Sequence, residues 1–377
     1  MAEMDMGLSP NNNKKKKKKK KQSLWKSITT GLFPCKGDTA GEICRKVIFL
    51  VALATLVAAV VLITAHYMQY VVLDNDAAID SDGNKKTTNG YVYDLKNQTP
   101  TTQEIQNLPE GTINEKYAAL YAENPDFIGW LNVPGTNIDE PVVQTDNNDD
   151  YLHTNFQGEY EFAGTLFADY EGKISRDGMP QNTIIYGHNM RLKYMFAALH
   201  NYKVDIDFLK ESPVIQFDTL YHNNMYKIIS VFVTNIDEDY GEVFEYTTKS
   251  YFKNKADFYD YVLECEDRSL YDTGVDIEYG DEFLTLSTCD KDTSMDLRLV
   301  VVARKVRPNE STEVDTDRIV KKDSVKYFDA YYDIYGNQWF GRTWDISMVK
   351  GMDEYIKENN LEDDPENYKE TDTNEAA

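Results

Sequence analysis

A cysteine, an arginine and a histidine stand at the ends of three strand-like segments of this chain. Cys289 ends the apolar run 283–289, and nine residues later Arg298 begins a second run. His188 follows the apolar run 183–187. If these segments are neighbours in one sheet, the thiol, the guanidinium and the imidazole meet at one rim. A thiol nucleophile with an imidazole proton carrier and a fixed cation is the outline of a cysteine transpeptidase or cysteine protease site.

The other histidines and acidic stretches predict no further chemistry. His153, His200 and His222 have no thiol or carboxylate at metal-binding spacing, so we interpret them as surface or structural residues. The acidic stretch 237–241 lacks the spacing of an EF-hand loop. No phosphate-binding glycine loop is found either. We therefore expect no cofactor and no metal ion.

The charge of the chain is strongly asymmetric. The net charge is −24, yet residues 1–46 carry 12 Lys and Arg against 4 Asp and Glu, which leaves 28 against 60 for the remainder. Such a split predicts two compartments, and the acidic bulk argues against a nucleic-acid partner because phosphates would repel it. With 41% hydrophobic and 12% aromatic residues, the chain can bury a sizeable core.

A hydrophobic segment separates the basic part from the acidic part. The run from Val47 to Ala65 is 19 residues without a charge. As a helix it would span about 30 Å, the hydrocarbon thickness of a bilayer. The basic flank is N-terminal, which predicts a single-pass protein of the cell membrane with a cytoplasmic N-terminus and an extracellular catalytic domain. The alternative is a cleaved signal peptide, whose apolar region is normally shorter.

The cysteines and the lysine run add to this picture. Lys14–Lys21 is eight consecutive lysines, which either attract anionic membrane lipid or form a disordered tail that only fixes topology. Cys35 and Cys44 would lie in the reducing cytoplasm. Cys265 lies in a segment with helical apolar spacing and is expected to be a small buried hydrophobe. Cys289 remains as an unpaired outer thiol, which indicates a function.

Short strand-like runs separated by turn residues begin at residue 127. There are eight of them, at 127–133, 142–144, 164–168, 183–186, 214–217, 225–235, 282–288 and 298–306. Eight short strands with few long helices predict a mostly β fold, an eight-stranded closed or nearly closed barrel. We expect helical insertions at 192–202 and 255–266 and a short helix at 114–123.

Composition divides the chain into five predicted segments. These are a basic cytoplasmic tail (1–46), a transmembrane helix (47–66), a polar linker (67–112), a catalytic barrel (113–307) and a C-terminal extension (308–377) whose acidic end is disordered. The extension holds eight aromatic residues between Tyr327 and Trp344, too many for a disordered tail. It either packs on the barrel or forms a lid or a partner-binding surface.

Several motifs resemble those of sortases, the membrane-anchored cysteine transpeptidases of Gram-positive bacteria. Residues 285–289 read Thr-Leu-Ser-Thr-Cys and match the TLxTC signature of the family. Arg298 matches its catalytic arginine, and the Tyr-Gly-His sequence at 186–188 matches the strand end that carries its catalytic histidine. The stretch 124–144 looks like the entry into the barrel of class B sortases. The combination is specific, although each element alone is weak.

The resemblance covers about residues 113–307 and includes a long insertion around 245–270, which in class B contains a helix before the cysteine-bearing strand. Class B enzymes commonly carry an acidic residue shortly after the cysteine. Here both Asp290 and Asp292 are present, and the choice between them stays open. The extension has no counterpart in the family core.

The resemblance implies acyl transfer by three catalytic residues, Cys289, His188 and Arg298. The partners would be the sorting-signal peptide of a secreted protein and an amine of peptidoglycan or its precursor. Cys289 would form a thioester, His188 would carry protons, and Arg298 would hold the substrate carbonyl and its oxyanion. Two alternatives remain: an L,D-transpeptidase or secreted cysteine protease, and a non-catalytic surface receptor or adhesin that retains the barrel.

Overall fold

The computed structural model describes residues 31–76, 100–190, 195–290, 296–336 and 338–361, with side chains for all of these except 65–76. The chain divides into two compact units, residues 1–71 and 72–377. The predictions for the lysine run, for the acidic end of the extension and for Asp292 lie outside the described residues, as does half of the predicted linker. The boundaries of the five predicted segments stay predictions.

Most of helix α1, Ala40–Asp76, belongs to the first unit. Thr39 precedes the helix, and its backbone N–H and its hydroxyl both donate to Glu42 Oε2 at 2.9 Å, so the first turn is capped. The part Ala40–Thr64 is long enough to cross a bilayer, with a mean hydropathy of 3.0 in its most apolar window. None of that window is buried, so α1 is a candidate membrane span by length and composition.

Eight strands of the second unit close into a barrel in the order β1-β2-β3-β4-β8-β9-β6-β5. The strands are β1 Phe127–Asn132, β2 Asp139–Val143, β3 Leu166–Ala168, β4 Asn182–Tyr186, β5 Val214–Thr219, β6 Asn223–Asn235, β8 Phe283–Cys289 and β9 Leu297–Lys305. The pairs β2–β3 and β4–β8 are parallel, and the other pairs are antiparallel. The predicted eight-stranded barrel is confirmed, because every predicted run corresponds to one of these strands.

Short helices connect and flank the strands. They are α2 Thr102–Gln106, α3 Ala118–Glu123, α4 His200–Val204, α5 Ile206–Glu211, α6 Lys255–Arg268, α7 Asp329–Tyr335 and α8 Met352–Glu358. The predicted insertion at 255–266 is α6, and a 3₁₀ turn at Phe196–Leu199 with α4 occupies the described part of the insertion at 192–202. A separate pair of two-residue strands, β7 Tyr271–Asp272 and β10 Val320–Lys321, was not predicted.

The outer wall of the barrel is buried under α6. Val300 and Val302 of β9 belong to one apolar cluster with Phe258 and Val262 of α6. Because side chains alternate along a strand, the residues between them face the barrel interior, which explains why β9 is apolar on both faces. Trp344 joins the same cluster, so the C-terminal extension packs against α6.

Candidate active site

The register of three barrel strands brings the predicted residues to one rim. Strands β8 and β9 are antiparallel, and Cys289 is paired directly with Arg298. Strand β4 runs parallel to β8 with Tyr186 opposite Ser287, so the chain leaves both strands at the same end of the barrel. His188 lies two residues beyond Tyr186, as Cys289 lies two residues beyond Ser287. The three residues singled out from the sequence therefore lie at the same strand ends.

All three residues line one cavity of about 490 Å³. Its wall is largely apolar and comes from both sides of the rim. The lining residues include Leu152, Phe167 and Tyr186 on one side and Ile236, Val243, Phe244 and Tyr246 from the segment between β6 and α6 on the other. A cavity with an apolar wall and a few polar groups is typical of a site that binds an extended peptide or a small molecule.

The imidazole of His188 is held by the neighbouring loop. Its Nε2 lies 2.9 Å from the carbonyl oxygen of Leu152. Because a carbonyl oxygen can only accept, Nε2 carries a proton in this arrangement. The ring is also stacked on His153, with 5.5 Å between centroids and 15° between planes. These contacts fix the ring plane, and because Nε2 is protonated in this arrangement, a neutral His188 ring carries its lone pair on Nδ1.

Arg298 and Tyr246 form the polar side of the cavity. The Arg298 guanidinium donates to the carbonyl oxygen of Leu297 at 3.1 Å, which holds it along the rim. The Tyr246 hydroxyl and the Ser287 hydroxyl are 2.8 Å apart. Burial raises the pKa of Tyr246 to about 12, although the hydrogen bond with Ser287 and the charge of Arg298 lower it. Tyr246 is therefore a neutral phenol next to the cation.

The two cysteines of the second unit have opposite surroundings. Cys289 is half-buried and unpaired. Cys265 is fully buried in α6, and this burial raises the pKa of its thiol well above its usual value. The prediction that Cys265 is a small buried hydrophobe is confirmed. Cys289 alone of the two lies on a cavity wall where a substrate can reach it.

Two histidines interpreted as surface or structural residues lie close to the site. His153 stacks on His188. His200 is half-buried, and its Nδ1 is 3.8 Å from Asp290 Oδ1. His153 is exposed and His200 is half-buried, which agrees with their interpretation as surface or structural residues, and their contacts place both next to the site. Their spacing in the sequence carried no signal, because the contacts depend on how the loops fold back on the rim. His222 is half-buried on the turn after β5, in agreement with a surface or structural residue.

Asp290 takes a structural position that the sequence left open. Its side chain is 1% exposed, and its Oδ2 accepts from Lys203 Nζ at 2.7 Å. It lines a second cavity of about 320 Å³ and not the one that holds Cys289. In the described ranges, no three His, Cys, Asp or Glu side chains are placed to hold a metal ion together.

Comparison with known proteins identifies relatives of the barrel. A family model described as the sortase domain matches residues 131–306. The chain is 34% identical over 196 residues to sortase B of Listeria monocytogenes, an alignment that covers 52% of this chain and 76% of the relative. It is 27% identical over 194 residues to sortase B of Staphylococcus aureus, covering 52% and 75% of the two chains.

A solved structure, that of sortase B from Clostridium perfringens, is also similar to this chain. The sequence identity is 36%, and the TM-score is 0.45. The match covers 50% of this chain and 98% of the solved one. The matched region in each comparison is about half of this chain.

Proposed function

This chain belongs to the sortase family of cysteine transpeptidases, with class B members as its relatives, and we propose that it cleaves a C-terminal sorting signal of secreted proteins and passes the acyl group to a cell-wall amine. The single observation that carries this proposal is the convergence of Cys289, His188 and Arg298 on one cavity. A barrel that only binds a ligand would not require a thiol, an imidazole and a guanidinium on the wall of one cavity.

Cys289 is the proposed nucleophile. Its sulfur attacks the carbonyl carbon of the scissile peptide bond, the carbon–nitrogen bond breaks, and a thioester forms between Cys289 and the substrate acyl group. An incoming amine then attacks the thioester carbon, the carbon–sulfur bond breaks, and the thiolate is regenerated. The position of Cys289 on the cavity wall, unpaired and half-buried, supports this role.

His188 is the proposed proton carrier of both steps. As an imidazolium it gives the Nδ1 proton to the departing amine, and as a neutral ring it takes a proton from the incoming amine at the same nitrogen. The hydrogen bond from Nε2 to the carbonyl oxygen of Leu152 supports this choice of nitrogen, because it can persist in both protonation states.

Arg298 is the proposed electrostatic partner of the reaction. An arginine keeps its proton and cannot act as a base, so its contribution is to hold the substrate carbonyl and stabilise the developing oxyanion. Its pairing with Cys289 across β8 and β9 supports this role, because a carbonyl attacked by the thiol would lie within reach of the guanidinium.

The substrate of the proposed reaction is an extended sorting-signal peptide that is cut after a threonine, and signals of the Asn-Pro-x-Thr type, which class B sortases often take, are the first candidates. The apolar wall of the cavity supports an extended, weakly charged segment as the ligand. The acceptor is an amine of peptidoglycan or its precursor. Helix α1 would anchor the enzyme in the cell membrane with the barrel outside, where both substrates are found.

The test is a transfer assay with a small library of sorting-signal peptides and a small primary amine. The wild-type chain is expected to release the part after the threonine and to join the amine to the threonine. Cys289→Ala should abolish both products, whereas the matched control Cys265→Ala should retain them. Turnover that survives in Cys289→Ala would contradict the proposed function.

A further inference from the structure

A chain of polar contacts lies behind Cys289, outside the cavity that holds its thiol. Asn189, His200 and Asp290 form this chain. We propose that it is a positioning device: it locks the backbone of Cys289 to the segment that carries His188 and so sets the distance between thiol and imidazole. This inference rests on the proposed function for its kinetic consequence, but its structural part can be tested without turnover.

Asn189 makes the central contact. It directly follows His188, and its Nδ2 donates to the carbonyl oxygen of Cys289 at 2.7 Å. The preceding rung between the two strand ends is the backbone hydrogen bond from Gly187 N to Ser287 O at 3.3 Å. The Asn189 side chain therefore continues the parallel β4–β8 ladder by one rung past the last strand residues.

The position of the Asn189 amide group is fixed by its partners. Because the carbonyl oxygen of Cys289 can only accept, the amide nitrogen must face it. The same nitrogen lies 2.9 Å from His200 Nε2. The amide nitrogen has two hydrogens, so one serves Cys289 and the other serves His200. His200 must therefore accept at Nε2, which requires that its proton sits on Nδ1.

Asp290 selects this tautomer of His200. Its Oδ1 is 3.8 Å from His200 Nδ1, too long for a hydrogen bond but close enough for a buried negative charge to favour a proton there. Oδ1 has no hydrogen-bond partner among the described residues, whereas Oδ2 is held by Lys203 at 2.7 Å. The carboxylate thus orients the ring, the ring orients the amide, and the amide holds Cys289.

The expected consequence is a loss of rate and not of binding. Asn189, His200 and Asp290 are not among the residues that line the cavity of the thiol, so their replacement leaves the peptide-binding wall unchanged. A displacement of the thiol by about 1 Å relative to the imidazole can cost on the order of 10²-fold in rate. We expect kcat to fall by that order while KM changes less than about twofold.

Two substitutions of His200 distinguish a ring that accepts a hydrogen bond from Asn189 from a ring that only packs. His200→Gln supplies an oxygen that can accept from Asn189, and His200→Phe keeps the ring but cannot accept. If the chain positions Cys289, the Gln variant should retain most of kcat and the Phe variant should lose it. A packing role predicts the reverse order, and that order would overturn the proposal. His222→Phe is the matched control: His222 is half-buried like His200 but lines neither cavity, so this variant should match the wild type.

Nuclear magnetic resonance of the histidine ring nitrogens tests the structural part without any substrate. In the full-length chain in detergent micelles, we expect His200 to be the neutral tautomer with its proton on Nδ1, assigned by the loss of its signals in His200→Phe. Asn189→Asp should shift the Nε2 resonance. Observation of the Nε2–H tautomer of His200 would refute this inference, even if the transfer assay succeeds. If the Nδ1–H tautomer is present and the transfer assay fails, only the proposed function is refuted.

Discussion

At the scale of single residues, strand ends decide the chemistry of this chain. The sequence predicted Cys289, His188 and Arg298 because each stands at the edge of an apolar run, and the register of β4, β8 and β9 places them on one rim. The supporting residues could not be predicted in the same way. Asn189 and His200 matter through contacts across a fold that neither periodicity nor spacing encodes.

Arg298 carries the first prediction at this scale. Arg298→Lys keeps the charge but loses the planar pair of donors, so acylation of the enzyme by peptide should fall by about 10²-fold, as for loss of an oxyanion-hole donor. Alkylation of Cys289 by iodoacetamide should fall far less, because that reaction forms no oxyanion. Single-turnover rates of the two reactions check this.

The control for this prediction is Arg318→Lys, a partly exposed arginine of the extension whose replacement should change neither rate. An equal fall of both rates in Arg298→Lys would show that the arginine serves the thiol and not the carbonyl of the substrate.

At the scale of elements, the barrel strands were predictable from the sequence, whereas the short strands and helices packed around the barrel were not. Eight apolar runs bounded by turn residues indicate eight strands whatever their order in the sheet. By contrast, β7 and β10 have only two residues each, which is too short for a periodic pattern. The helices α7 and α8 of the extension have seven residues each, and the aromatic residues between Tyr327 and Trp344 indicated only that this part is not a disordered tail.

Buried ion pairs join the extension to the end of α6. Lys322 Nζ lies 3.2 Å from Glu266 Oε2, and both side chains are nearly inaccessible. Arg342 Nε and Trp344 Nε1 both donate to Asp267, at 3.0 Å and 2.8 Å. Removal of the extension would leave the carboxylates of Glu266 and Asp267 on α6 without these partners, which is destabilising because an unpaired buried charge is costly. The extension is therefore an integral part of the packing around the barrel.

Glu266 gives this element a pH dependence. Burial raises its pKa from the ordinary 4.5 to about 7, although Lys322 lowers it. The stability from this group is fully present below about pH 4.5, where both states are protonated, and it is lost as the pH rises through 7. The loss is roughly 3 kcal/mol of the free energy of unfolding.

The measurement is urea denaturation of the full chain in micelles between pH 4.5 and 7.5, followed by tryptophan fluorescence. Glu266→Gln should remove the part of the decline in the free energy of unfolding that comes from Glu266. The stability of this variant relative to the wild type should therefore improve as the pH rises. Glu354→Gln, an exposed acid on α8, is the control. A constant difference between Glu266→Gln and the wild type at every pH would contradict the argument.

At the scale of the whole molecule, the division of charge and the apolar helix belong together. The basic residues precede the candidate span in α1, and the acidic residues follow it. The sequence predicted this because hydropathy and charge need no tertiary structure to be read. Composition does not encode the contacts that divide the chain into residues 1–71 and 72–377.

The cysteines of the chain report its orientation. If the N-terminus is cytoplasmic, a membrane-impermeant maleimide added to intact cells should label Cys289 and leave Cys35 and Cys44 unlabelled. After lysis Cys44, which is exposed, should react as well, whereas the buried Cys265 should not. Cys289→Ala should leave intact cells without label on this protein. Labelling of Cys44 in intact cells would reverse the proposed topology.

The central claim is that Cys289 carries the acyl group while His188 and Arg298 act on it at one rim, and peptide mapping tests it most directly. The full chain is incubated with an Asn-Pro-x-Thr peptide without acceptor, quenched in acid, digested and examined by mass spectrometry. The account predicts a hydroxylamine-labile adduct on Cys289 whose mass equals the peptide up to its threonine, with less adduct in the Arg298→Lys variant. An adduct on any other residue, or cleavage without an adduct on Cys289, would contradict it.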